Sequence, residues 1–282
     1  MQTLIGCDFS SSPNRQKNIV IASGSLLGGR LQLSKIERLT SLSAFSQWLS
    51  NHAGWVGGFD LPFGLPRELV QTLGWPTVWE ACIRHFATLD RATIRAQFAA
   101  FCKDRPVGGK FAHRATDIPA QSSPSMKWVN PPVAYMLHAG VPRLLDAGVY
   151  FPVLQPAPSS LQFTGTGAAR VALEAYPGML AREVLARRSY KSDDLAKQTP
   201  DRLIARKDLV HALEMGQTRL GLRVKLTHSQ RDAMVADASG DALDALLCMV
   251  QAAWGWCQFQ NGDQNFGLSP TTDPLEGWIV SA

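Results

Sequence analysis

The chain has 282 residues, of which 45% are hydrophobic and 18% charged, and a formal net charge of +5. That is ordinary globular composition with ample material for a core, in one elaborated domain or two. No stretch of about 20 apolar residues exists, which excludes a membrane-spanning helix. The five cysteines, Cys7, Cys82, Cys102, Cys248 and Cys257, form no Cys-x-x-Cys, which argues against a disulfide framework or a structural zinc site and for a reducing, cytoplasmic setting.

Thr3 to Phe9 reads as a buried strand carrying Asp8 near its end. Asp8 interrupts the first apolar run and no basic start precedes it, so no signal peptide is expected. Ser10-Ser-Ser-Pro-Asn14 is a turn. Asn18 to Ser23 is a second strand, and Arg30 to Leu39 alternates apolar and polar residues like a half-exposed third. Short turns between them predict an antiparallel meander. Leu42, Phe45, Trp48 and Leu49 have helical spacing behind Ser41, a natural N-cap. Trp55 to Asp60 is a fourth strand, and Pro62, Gly64 and Pro66 forbid its continuation.

Residues 67–167 differ in character, with Trp-rich helical pieces, a loop from Lys103 to Asp117 and a Pro-rich exit. They are expected to form a helical insertion subdomain between residues 1–66 and 168–282. Ala169 to Glu174 gives a further strand ending in an acid. Helical stretches follow from Met179, from Asp201 to Met215, and from Thr227, where Thr227 and Gln230 have the spacing of a capping box. Asp241 opens a long apolar helix running to about Trp256, and residues 273–280 are expected to return as a short strand.

Three strands thus end in an acid, Asp8, Asp60 and Glu174, and one helix opens with two more, Asp241 and Asp244. Positions i and i+3 share one side of a helix. In an open α/β sheet, ligands collect beyond the carboxyl ends of the strands. Acids distant in sequence can converge there, and an all-oxygen donor set suits hard ions such as Mg2+ or Mn2+. Each acid also has a plainer role open to it. Acids in a first helical turn favour the macrodipole, an Asp after a strand is a common turn former, and Glu174 has Arg170 and Arg182 as potential ion-pair partners. Charge is unevenly spread. Arg182 to Lys207 holds eight Lys/Arg against four Asp/Glu, whereas His211 to the C-terminus holds four against eight. A basic segment beside an acidic one suits a phosphate-bearing substrate near a carboxylate cluster.

The order of these segments, Gly6-Cys-Asp8-Phe, Gly58-Phe-Asp60-Leu-Pro-Phe-Gly, Glu174-Ala-Tyr-Pro and Asp241-Ala-Leu-Asp244-Ala-Leu, resembles a family of predicted nucleases of RNase H-like fold. The late Asp-x-x-Asp is also similar to the end of the RuvC-type resolvases in the wider superfamily. The resemblance covers most of the chain apart from the insertion. It implies an α/β fold with an RNase H-like mixed five-stranded sheet (order 3-2-1-4-5) flanked by helices, with the helical insertion after the fourth strand. It further implies Asp8, Asp60 and Asp241 or Asp244 as ligands of Mg2+ or Mn2+, and a catalytic set of these acids with Glu174. The expected activity is metal-dependent phosphodiester hydrolysis of nucleic acid, DNA or RNA. Two other readings stand beside it. One is an actin-like phosphotransferase or ATPase acting on a small phosphorylated ligand. The other is a nucleic-acid-binding module without turnover.

Further candidates for substrate contact are Ser10 and Ser11, with Ser12, after the first strand, and Lys110, His113 and Arg114 in the Gly-rich loop that ends at Asp117. His113 is placed to shuttle protons in that reading. Trp55, Trp75, Trp79 and Trp128 are candidates for stacking on bases, or for the core.

Overall fold

A computed structural model describes residues 1–165 and 167–282. Six strands form one mixed sheet: β1 (Thr3–Asp8), β2 (Ile19–Leu27), β3 (Arg30–Leu39), β4 (Trp55–Asp60), β5 (Arg170–Glu174) and β6 (Arg223–Lys225). They lie in the order β5-β4-β1-β2-β3-β6. The first three are an antiparallel meander, as their short turns dictate. β4 lies parallel to β1, β5 to β4 and β6 to β3. The expected sheet had five strands; the sixth pairs only Arg30 to Gln32 with Arg223 to Lys225, too few residues to leave a period-2 signature. The tail contributes an isolated bridge between Glu174 and Ile279 rather than a strand.

Side chains alternate across a strand, so each face of the sheet collects its own partners. On one face Ile5, Cys7, Ile21, Trp55, Phe59 and Ala172 pack in one apolar cluster with α1 (Leu42–Asn51) and the helices that follow β4. These are α2 (Arg67–Thr72), α3 (Trp79–Thr88), α4 (Arg91–Lys103) and α6 (Val133–Asp146), whereas Ala120 of the short α5 (Asp117–Ala120) packs separately with Met179 and Ile279. Ser41 caps α1 by accepting from the Ala44 amide at 3.0 Å. Leu4, Val20, Val56, Val171 and Leu173 form the other face. It is covered by α7 (Pro177–Leu185), α8 (Pro200–Met215), α9 (His228–Ala236) and α10 (Asp241–Gln260). The capping box of α9 forms, with Thr227 accepting from the Gln230 amide and the Gln230 side chain from the Thr227 amide. Among the described residues no helix is long and apolar enough to cross a membrane.

α10 is buried along most of its length because it lies directly on the central strands. Gly6 of β1 and Gly58 of β4 are side by side in the parallel register. A Cβ on Gly6 would overlap the Ala245 carbonyl oxygen and the Met249 backbone, and one on Gly58 the Cys248 carbonyl oxygen. Two glycines on neighbouring strands therefore let helix backbone touch sheet backbone. Both sit two residues before an acid, on the same face as that acid.

Candidate metal centre

Asp8 and Asp60 are the last residues of β1 and β4 and are register partners. Parallel strands lie about 4.8 Å apart and residues in register point the same way, so the two carboxylates emerge side by side. They share the face of Gly6 and Gly58, which is the face α10 covers. The helix starts at Asp241 and brings Asp244 over the strand ends. One carboxylate oxygen from each of Asp8, Asp60 and Asp244 lies within 4.8 Å of the others.

The first-turn acids of α10 are not its caps. Asp237, just before the helix, accepts from the Ala242 amide at 3.0 Å and from the Ser239 hydroxyl at 2.7 Å, and is paired with Arg38 at 3.1 Å. That leaves the carboxylates of Asp241 and Asp244 for other partners. Asp241 goes to Lys17, with Nζ at 2.9 Å from Oδ1. It stands beside the triad rather than within it. Asp244, with no exposed surface, accepts from the Tyr190 hydroxyl and the Lys191 ammonium. Asp8 and Asp60 receive no hydrogen bond from any described residue, although Asp8 is only 8% exposed.

Three close carboxylates repel one another, by roughly 3 kcal/mol per ionised pair at an effective dielectric near 20. Asp8 and Asp60 respond to this repulsion as well as to burial. Burial first, then the charge of Asp244, pushes Asp60 up to about 7, with Lys191 opposing. Asp8 is raised well above the ordinary carboxylate range by burial, by Asp244 and by Asp60, again against Lys191. Lys191, with Lys17 already paired to Asp241, does not neutralise the three carboxylates. The donor set is oxygen only, two of its members lack any hydrogen-bond partner, and their charges disfavour one another. Such a set could hold a hard divalent cation.

The remaining sequence candidates differ in their surroundings. Glu174 ends β5 on the side of Ala172, opposite to that of Asp8 and Asp60, because its register partner is Phe59. It is 3% exposed and holds Arg114 through both oxygens, at 2.6 and 2.8 Å, while accepting from the Phe63 amide at 2.9 Å. It is thus engaged in a buried ion pair. Arg114, expected to meet substrate, is 2% exposed and also paired with Asp117 at 3.0 Å. Lys110 bends back to the carbonyls of Cys102 and Lys103 at the end of α4, and His113 is exposed outside the cleft described next. Trp55, Trp75 and Trp79 are core residues, and Trp128 packs edge-on against Phe98 and Phe111.

A cleft of about 750 Å3 opens at Asp8 and Asp60, and Ser10, Ser11, Arg114 and Glu174 also line it. So do residues the sequence did not single out, notably Lys17, Arg91, Tyr135 and Lys191. Lys191 belongs to the basic segment noted above, which was the one trace of it in the sequence. No protein-family model, curated protein or solved structure matches the chain.

Proposed function

We propose that the chain is a metal-dependent nuclease that hydrolyses phosphodiester bonds with Mg2+ or Mn2+ seated on Asp8, Asp60 and Asp244. The observation that carries this reading is the meeting of three carboxylate oxygens, from two strand ends and a helix start, within 4.8 Å. The resemblance of the four acid-bearing segments to predicted nucleases of RNase H-like fold supports it. A bound ion of this kind supplies activation of water and charge neutralisation at the leaving oxygen.

The chain's own residues do the positioning, which is most of the work in phosphoryl transfer. Asp8 and Asp60, fixed by strand register, present unpartnered oxygens toward the cleft. Asp244 is oriented by Tyr190 and Lys191. Lys191 also places a positive charge at the edge of the cluster, where it can meet a substrate phosphate. Ser10, Ser11 and Ser12 offer hydroxyls at the mouth of the same cleft.

The test is cleavage of a panel of single strands, duplexes, branched DNA, RNA and RNA–DNA hybrid in the presence of Mg2+ or Mn2+. Cleavage of at least one substrate is expected, with at least a hundredfold loss in Asp8→Asn, on the order of the 2.7 kcal/mol or more that loss of a transition-state contact costs. Equal cleavage by Asp8→Asn would end the reading.

A further inference from the structure

The cleft over the carboxylates has two unlike walls, and together they point to a substrate class. One wall is the turn after β1, with Ser10, Ser11 and Ser12, joined by Arg91 from the start of α4. Arg91 donates to the Ser11 carbonyl at 3.2 Å and to the Ser12 hydroxyl at 3.0 Å. It makes no ion pair with any described carboxylate, while five N–H donors leave it capacity for a further acceptor. Ser10 lies two residues beyond Asp8, a span of roughly 7 Å at most. A phosphate at the serines would therefore sit about one nucleotide step from the metal centre.

The second wall is apolar. It consists of Pro131, Pro132, Tyr135 and Met136, around the start of α6, and Tyr176 also lines the cleft. The Arg91 guanidinium lies over the Tyr135 ring at 4.8 Å. A guanidinium stacked over an aromatic ring covers one face and leaves a flat pair on whose outer surface a nucleobase stacks without regard to its identity. A cleft of about 750 Å3 falls in the range of roughly 300–1,000 Å3 that encloses small ligands. It can surround an exposed base with its sugar and phosphate. A duplex keeps its bases inside, so it cannot offer a base to Tyr135 without being opened.

Resting on the nuclease reading of the same site, we propose that the cleft takes single-stranded nucleic acid. A phosphate is held by Arg91 and the Ser10–Ser12 turn, an unpaired base lies against Tyr135, and the next phosphate is at the carboxylates.

The experiment uses the full chain carrying Asp8→Asn, so that binding is read without turnover. Fluorescence anisotropy is followed with labelled DNA and RNA single strands of about ten nucleotides and with the blunt duplexes of the same sequences. Single strands are expected to bind at least tenfold more tightly. Adding Arg91→Ala or Tyr135→Ala should weaken single-strand binding about tenfold, and Tyr135→Phe should restore it, with melting temperatures confirming that each variant is folded. Equal affinity for duplex and single strand overturns the proposal, as does no binding of either or an unchanged affinity in folded Tyr135→Ala. Cleavage by the wild-type chain is read separately with Mn2+. Selective binding without cleavage retires the nuclease reading and leaves the binding assignment standing. Cleavage of duplex at the single-strand rate retires the assignment and leaves the nuclease reading.

Discussion

At the scale of the residue, the account turns on why three acids stay together. Asp60, raised to about 7 in the folded chain against 3.8 for an ordinary Asp, binds its proton more tightly when folded than when unfolded. The sign of the linkage follows. Its protonated form favours the fold below about pH 4, and that contribution is lost as pH rises to about 7. In EDTA, the melting temperature of the wild-type chain should therefore fall relative to that of Asp60→Asn between about pH 4 and 7. Parallel curves for the two proteins would show that burial and the neighbouring carboxylates do not raise Asp60. The acids themselves were readable from sequence because each strand stops at one and the chain order sets them apart from chance. Their sidedness was not. Val171, Ala172 and Leu173 are all buried, so β5 shows no alternation from which the opposite orientation of Glu174 could be read. Lys17, Arg91 and Lys191 are ordinary surface-type residues in sequence, and only long-range pairing gives them a place.

At the scale of the element, the site depends on how close α10 lies to β1 and β4. Gly6 and Gly58 set that distance, since any side chain there would strike helix backbone. Gly58→Ala should lower stability by about 1–3 kcal/mol or more, the cost of overpacking a fitted core. It should also weaken Mn2+ binding, by moving Asp244 away from Asp8 and Asp60. Gly109→Ala is the matching control, because a Cβ there makes only ordinary contacts with Pro106, its ring at 3.4 Å and its carbonyl oxygen at 3.8 Å. Denaturant unfolding and metal titration of the two variants check this; equal behaviour would contradict it. The sequence showed the two Gly-x-Asp pairs and the apolar helix separately. That they meet was not legible, because a glycine in a strand signals close approach without naming what approaches. β6 escaped notice for a simpler reason: three residues, Arg223 to Lys225, carry no pattern.

At the scale of the whole molecule, one buried network ties distant parts of the chain around the cleft. Arg114 joins Glu174 of β5 to Asp117 of α5 and donates to the Glu276 carbonyl near the C-terminus at 3.1 Å. The Glu276 carboxylate accepts from the amides of Arg67 and Ala115, and Ile279 donates to the Thr116 hydroxyl. The helical segment between β4 and β5 is thereby fastened both to the sheet and to the tail. Arg114→Met leaves Glu174 and Asp117 buried without their cation. It should destabilise the chain by about 3–5 kcal/mol in denaturant unfolding, while the folded fraction still binds Mn2+. A loss below about 1 kcal/mol would show that Arg114 is not the fastening. The sequence marked Arg114 as a substrate contact because a Gly-rich cationic loop has that appearance; Arg114 does line the cleft, but its guanidinium is engaged by Glu174 and Asp117, which the sequence did not show.

The central claim is that Asp8, Asp60 and Asp244 form one cation seat. Calorimetric titration of the metal-free chain with Mn2+ tests it most directly. Saturable binding is expected in the wild-type chain and in folded Glu174→Gln, and its loss in Asp8→Asn and in Asp60→Asn. Absence of saturable binding at millimolar Mn2+, or binding that survives both aspartate substitutions, would contradict the claim.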